Sequence, residues 1–294
     1  LQTQFLDNSI QELPFLEAED CAMALGFFDG IHLGHQHIIR KAKEIAREKG
    51  LQFALMTFTP HPTEVITPDS TNFPYLTTLS EKVKKMASLG VEQLYIVKFN
   101  TDFCHLSPQE FVKQYLVGLR CKHVIAGFDF TYGYKGAGNM SQLTEYAQGE
   151  FEVTTVAKIE RNHRKISSTL IRELVKSGRV DLVPEYLGQF YEINGQVLSI
   201  SSQNGDTDSI IHVITSCFLP RPGVYTIAAD INGVTYEGTC IEIHTFESHS
   251  MLVLQLDSKP PCIESSPIVI KWTCLRQEKP LLSTKPIELS SAVI

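Results

Sequence analysis

The 294-residue chain predicts an α/β domain built on a parallel sheet, followed by a small all-β barrel, and three observations predict it. Apolar strand-like runs alternate with amphipathic helical patterns as far as Leu187. Helical periodicity then stops, and about six short β-rich runs follow, separated by Pro, Ser and Gly clusters. One separator, Asn232-Gly233, is a strong two-residue hairpin signal. Two domains are expected at this length, and their boundary is placed at 1–187 and 188–294.

The elements follow in order. CAMAL, Cys21 to Leu25, is an uninterrupted apolar run of the kind found in a strand buried on both faces. Ile38, Ile39, Ala42, Ile45 and Ala46 then recur at helical spacing, charged residues fill the opposite face, and Gly50 supplies a stop. LQFALMTFT, Leu51 to Thr59, reads as a second strand, halted by Pro60 and Pro62 on either side of His61. Ser80 is expected to open a helix over 81–89 that Gly90 closes, with Glu81 and Lys85 spaced for an i,i+4 pair. Strand Val91–Phe99 follows. Ser107, Pro108 and Glu110 form a capping-box pattern for a helix through Leu119. His123–Ala126 and Phe151–Ile159 complete five strands, a further helix begins near Ser167, and a short one over 180–187 ends at Gly188. Strands and helices in this alternation imply a parallel sheet. The tail 284–294 reads as loose.

Charge narrows the partners. The net charge is −7, and residues 188–294 hold 6 basic against 11 acidic groups, so no basic patch favours nucleic acid or an anionic membrane. No apolar run reaches membrane-spanning length and no signal-like start is present. Seven cysteines without a C-x-x-C pair read as reduced thiols of a cytoplasmic protein.

Chemistry concentrates at GFFDGIHLGHQ. Gly26, Gly30 and Gly34 sit in or beside the loop between the first strand and its helix, where backbone approaches a ligand and the helix start attracts an anion. His32 and His35, three apart, can donate hydrogen bonds to phosphate oxygens and meet the charge that builds on a pentavalent phosphorus. The loop offers no Ser or Cys nucleophile, which favours direct in-line transfer. A metal site from His32, His35 and His37 is the competing reading, and no Cys, Asp or Glu stands beside them at zinc-like spacing. Farther on, GFDFTYGYKGAGN (Gly127–Asn139) is a glycine-rich loop whose Phe128, Phe130, Tyr132 and Tyr134 are suited to stacking on a flat ring. KISSTLIRELVKSG places Ser167, Ser168 and Thr169 at a helix start with Arg172 one turn inside, either as ordinary N-caps or as a second phosphate anchor.

These strings carry a resemblance. HLGH is similar to the signature of the nucleotidylyltransferase superfamily, and GFFDGIHLGHQ resembles more narrowly the bacterial FAD synthetases, usually bifunctional riboflavin kinases and FMN adenylyltransferases. TFTPHP, GFDF and ISSTLIR resemble that family's later motifs. The resemblance implies a Rossmann-like nucleotidylyltransferase domain that transfers AMP from ATP to FMN. It implies His32, His35 and Arg172 as catalytic residues. Gly26, Phe27, Asp29, Gly30, Gly34, Ser167, Ser168 and Thr169 would bind ATP and its phosphates, and His61, Gly127, Phe128, Asp129 and Phe130 the FMN and nucleotide. Mg²⁺ would accompany ATP, and FAD and pyrophosphate would be the products.

The resemblance weakens in the barrel. YLGQFYEINGQV and LPRPGVYTI are similar to the riboflavin kinase linker and one of its strands, yet 199–219 holds no L-G-x-P-T-A-N stretch. Ser250 and Met251 stand where that family's catalytic glutamate is expected, and Pro280 and Pro286 interrupt the segment of its terminal helix. A barrel without kinase activity is therefore expected. The alternatives are a bifunctional enzyme with a divergent kinase site, a nucleotidylyltransferase with another acceptor, and a non-catalytic flavin- or nucleotide-binding regulator.

Overall fold

The computed structural model describes residues 1–7, 18–67, 73–203, 208–246, 249–261 and 264–278, so the 284–294 tail and the segment of Pro280 and Pro286 lie outside the described residues. The chain divides into two compact units, Leu1–Glu173 with Val183–Gln189, and Leu174–Leu182 with Phe190–Ile294. Among the described residues no helix is long and apolar enough to cross a membrane.

In the first unit, β1 (Gln2–Leu6), β2 (Cys21–Leu25), β3 (Gln52–Thr59), β4 (Gln93–Lys98), β5 (Cys121–Gly127) and β6 (Glu152–Val156) form one sheet in the order β1-β4-β3-β2-β5-β6. Every neighbouring pair is parallel, as the alternation of elements predicts. Between strands lie α1 (Leu33–Lys49), the short α2 (Pro62–Ile66), α3 (Leu79–Ser88), α4 (Thr101–Cys104), α5 (Pro108–Phe111) and α6 (Met140–Ala147). A two-stranded hairpin, β7 (Glu160–Arg161) with β8 (Arg164–Lys165), precedes α7 (Ser168–Lys176), and α8 (Val183–Leu187) follows.

Both faces of the sheet are covered, which explains the unbroken apolar runs. Along β2, Ala22 and Ala24 pack with Ile39, Ala42, Ile45 and Ala46 of α1, while Cys21, Met23 and Leu25 join Phe111, Tyr115 and Leu143 on the other face. Small residues on the α1 side let that helix lie close. Gly50 caps α1 in the left-handed conformation (φ 63°), as expected of a C-terminal glycine.

Besides the short helices α2 and α4, helix α6 and the β7–β8 hairpin, which the sequence reading did not contain, three features differ from it. β1 has no counterpart in the sequence reading because it is an edge strand: Leu6 is buried, whereas Phe5 is 67% exposed, so no core pattern marks it. The α3 cap is Thr78, not Ser80, since Glu81 returns a bond to the Thr78 N–H at 2.6 Å and completes a capping box. The helix opened by Ser107 and Glu110 begins as expected, then passes into a π-helix over Val112–Val117.

The second unit contains a closed antiparallel barrel of β9 (Tyr191–Gln203), β10 (Asp208–Thr215), β11 (Gly223–Ile231), β12 (Val234–Thr245), β13 (Ser250–Leu256) and β14 (Pro267–Glu278), in the order β10-β13-β12-β11-β14-β9. Alternate residues fill its interior: Tyr225, Ile227 and Ala229 from β11 and Ile268, Ile270 and Trp272 from β14 are buried. Asn232 and Gly233, both at positive φ, turn β11 into β12 as the two-residue signal predicts.

Candidate active site

The sheet order fixes where a ligand can enter. From β2 the chain moves outward through β3 to β4 and then returns to lay β5 on the other side of β2, which opens a crevice at the carboxyl ends of those two strands. A cavity of about 720 Å³ lies there, lined by the loop after β2, the loop after β5, His61 and the start of α7.

The loop after β2 is held in an unusual shape. Phe28 (φ 54°) and Ile31 (φ 44°) are buried residues in the left-handed region that side chains rarely adopt. Thr57 Oγ1 and Lys82 Nζ both donate to the Phe27 carbonyl, at 2.9 and 2.8 Å. A Cβ at Gly26 would lie 2.9 Å from the Phe28 ring and force it to shift, and one at Gly34 would lie 3.1 Å from the His32 imidazole and crowd it. Gly34 thereby lets His32 fold over the start of α1, where its Nδ1 accepts the His35 backbone N–H at 3.1 Å as the N-cap. That bond leaves the proton of a neutral His32 on Nε2.

The His32 and His35 rings stack at 3.6 Å, and His35 meets the edge of Phe28 at 5.2 Å. Burial pushes the His32 pKa down to about 4 and that of His35 well below the ordinary value, and the neighbouring His32 ring and Lys82 ammonium oppose charge on His35 further. Both are neutral at pH 7. They are thus hydrogen-bond donors, not the charged groups one would set against a developing anion. His35 Nδ1 is buried without a hydrogen-bond partner among the described residues, a situation that calls for a ligand.

Asp29 is 1% exposed and turns inward. Its carboxylate accepts the Leu76 and Thr77 N–H groups at 3.1 and 3.2 Å and pairs with Arg172. Arg172 also donates to the Pro74 carbonyl at 2.8 Å and lies 4.4 Å over the Phe73 ring. Ser168 Oγ donates to the Asp29 carbonyl at 2.8 Å, and Ser167 Oγ accepts the Leu170 N–H at 3.2 Å. The serine hydroxyls therefore serve as a brace and a cap, and Arg172 is tied to Asp29. Thr169 is exposed at the cavity.

His61 is both a helix cap and part of the cavity wall. Its Nδ1 accepts the Thr63 N–H at 3.2 Å and caps α2, while its ring lines the cavity, stacked on Phe73 at 3.6 Å and edge-on to Phe27 at 4.6 Å. Burial lowers its pKa to about 4. In the loop after β5, Gly127, Phe128, Asp129 and Phe130 line the cavity, Asp129 pairs with Lys165, and the Lys165 ammonium lies 4.9 Å from the Phe128 ring. Phe128 is 45% exposed and available for stacking. Tyr132 is buried in the cavity wall against Phe111 and Phe130, whereas Tyr134 lies outside that wall, stacked on His105.

An apolar wall of Phe58, Ile66, Phe99, Phe103 and Leu106 also lines the cavity with Lys135 and Lys158, and of these only Phe58 and Lys135 lie within the quoted motifs. The available signal was positional, because Phe99 and Phe103 stand just past the carboxyl end of β4. The arrangement joins a slot for a planar apolar ring to neutral donors, two helix starts and several ammonium groups. Such a lining is chemically suited to an anionic ligand bearing a flat ring system.

The FAD synthetase family model matches residues 15–170. The chain is similar to a bifunctional riboflavin kinase/FMN adenylyltransferase of Listeria monocytogenes, 46% identical over 219 residues covering 74% of this chain and 70% of the relative. It is also similar to a protein of the same organism named FAD synthetase, 30% identical and covering 77% of this chain and 88% of the relative. Among solved structures, one described as a macrolide-efflux protein from Streptococcus pneumoniae superposes with a TM-score of 0.81, at 26% identity, over 97% of this chain and 93% of its own.

Proposed function

The chain belongs to the FAD synthetase family, and from that premise we propose that it makes FAD by transferring the AMP group of ATP to FMN, releasing pyrophosphate. The observation that carries this reading is the convergence, in one cavity, of the α1 start with His32 and His35, the α7 start, and a wall of aromatic rings. An FMN phosphate oxygen attacks the α-phosphorus in line. The new P–O bond forms as the bond to the bridging oxygen of pyrophosphate breaks and that oxygen takes the electron pair. The nucleophile is already anionic, so no side chain has to remove a proton. Neutral histidines suit that chemistry: His32 Nε2–H and the unpartnered ring nitrogen of His35 face the reacting phosphates as fixed polar groups. Lys135, Lys158 and Lys165 supply positive charge at the cavity wall.

Mg²⁺ belongs to this reading as part of the MgATP substrate. The cavity carboxylates Asp29 and Asp129 are each engaged by a cation of the protein, Arg172 and Lys165, so they do not compose a resident metal site. FAD formation is expected to stop in excess EDTA and return with added Mg²⁺. Full turnover under chelation would remove the metal from the reaction.

Riboflavin phosphorylation is a separate matter. The barrel has Ser250 and Met251 at the start of β13 where the resemblance requires a glutamate, and the metal- and phosphate-engaging P-T-A-N string is missing. A sugar-like hydroxyl needs a base to take its proton and a held phosphate beside it. Purified full-length protein given ATP is therefore expected to yield FAD from FMN and no FMN from riboflavin. The bifunctional name of the 46% identical relative favours the opposite reading. Chromatography of the products decides: FMN formed from riboflavin above a no-enzyme control, and abolished by a barrel substitution, establishes a divergent kinase site.

A further inference from the structure

We propose that Lys82 of α3 is a positioning residue for adenylyl transfer: its buried ammonium pins the Phe27 carbonyl and thereby turns the Phe28 N–H outward as a donor to nucleotide phosphate. This rests on the FAD-forming reading above.

In the string EKVKK, a lysine would ordinarily sit on a solvated helix face. Lys82 is instead 3% exposed, on the inward face of α3 that it shares with the buried Met86. Its ammonium donates to the Phe27 carbonyl at 2.8 Å and lies 4.3 Å from the centre of the Phe27 ring. Thr57 Oγ1 holds the same carbonyl from β3 at 2.9 Å. In a trans peptide the C=O and the following N–H point in opposite directions, so fixing the Phe27 carbonyl toward Lys82 fixes the Phe28 N–H away from it. Phe27 and Phe28 both line the cavity. Phe28 adopts φ 54°, a conformation that persists only where its surroundings enforce it.

The charged and titratable groups around Lys82 are Asp29 of the same loop, His35 of α1 and His61 at the β3–α2 corner. Asp29 favours the ammonium, while burial opposes it more strongly and brings the Lys82 pKa from 10.5 to about 8. Both histidines are neutral in that range and do not titrate there. Loss of the Lys82 proton removes the cation from behind the loop, so kcat/KM falls as pH rises through about 8. Stability moves the other way. The folded pKa lies below the unfolded one, the unfolded chain binds more protons between the two, and this group therefore favours the fold increasingly as pH rises across that window. A purely structural lysine gives no such opposition of signs.

The test compares wild type, Lys82→Arg and Lys82→Met for FAD formation from FMN and ATP between about pH 6.5 and about 9.5, with circular dichroism of each. Wild-type kcat/KM is expected to decline by up to about tenfold per pH unit above its midpoint, Lys82→Arg to move that decline to higher pH, and folded Lys82→Met to lose about 10²-fold in kcat and the alkaline limb with it. A wild-type profile flat to the upper limit, or wild-type kcat in folded Lys82→Met, overturns the proposal. If wild type makes no FAD at all, the underlying reading fails instead. ATP binding by calorimetry then judges Lys82: about tenfold weaker binding in Lys82→Met supports its role, and equal binding rejects it.

Discussion

His35→Ala is expected to lower kcat for FAD formation by about 10²–10³-fold, or about 2.7–4 kcal/mol, the scale on which loss of one fixed donor to a charged transition state is felt. The fold should survive. The capping bond at the start of α1 uses the His35 backbone N–H, which alanine retains, and the ring is not part of the buried face formed by Ile39, Ala42, Ile45 and Ala46. Far-ultraviolet circular dichroism is therefore expected to match wild type, and His35→Gln, which keeps an amide donor, to recover part of the lost rate. Near-native turnover in folded His35→Ala would locate the chemistry elsewhere. Acid stability offers an independent reading. His32 and His35 are held neutral with pKa values below their unfolded ones, so the stability linked to them is present above about pH 6.5 and is lost as pH falls below it, for His32 down to about 4. Removing His35 is expected to lessen that acid sensitivity, seen as a smaller fall in the urea midpoint between those pH values.

What the sequence disclosed and what it hid follow from range. The strand, loop and helix around His32 and His35 are local, as are the barrel strands and the Asn232-Gly233 turn, and periodicity with turn chemistry was enough to read them. Partnerships across the chain were not legible. Asp29 stood out as the polar residue of FFDG and Arg172 as the arginine one turn into α7, yet nothing in either string says that they pair with each other. Lys82 looked like one of several surface lysines, and only the packing of the α3 face it shares with Met86 shows that it is buried. Tyr132 and Tyr134 looked equivalent to Phe128 and Phe130. Only the packing shows Phe128 exposed at the cavity, Tyr132 buried in its wall and Tyr134 stacked on His105. The apolar wall was hidden for the opposite reason, since Phe99 and Phe103 read as ordinary core until the sheet order brings the end of β4 to the cavity.

Asp29→Ala is expected to cost about 3 kcal/mol of stability, the lower end of what breaking a buried ion pair removes, since Arg172 keeps some contact with solvent. The substitution strands three groups at once: the Leu76 N–H, the Thr77 N–H and the Arg172 guanidinium all lose an acceptor that no water readily replaces at a site this enclosed. These bonds join the loop after β2, the 73–77 segment and α7, so their loss also loosens the frame in which His32, His35 and the α7 start are set. Arg172→Ala should destabilise too, by leaving a buried carboxylate with amide donors but no countercharge. Because the two side chains act as a unit, the double variant should lose less than the sum of the singles, with a coupling of about 1–3 kcal/mol in a urea-denaturation cycle at unchanged m. This outcome would make Arg172 first a member of the scaffold, and its influence on triphosphate binding would then run through Asp29. Strictly additive losses, or an Asp29→Ala midpoint equal to wild type together with ATP affinity lost in Arg172→Ala alone, would instead make Arg172 a direct phosphate ligand and the ion pair incidental.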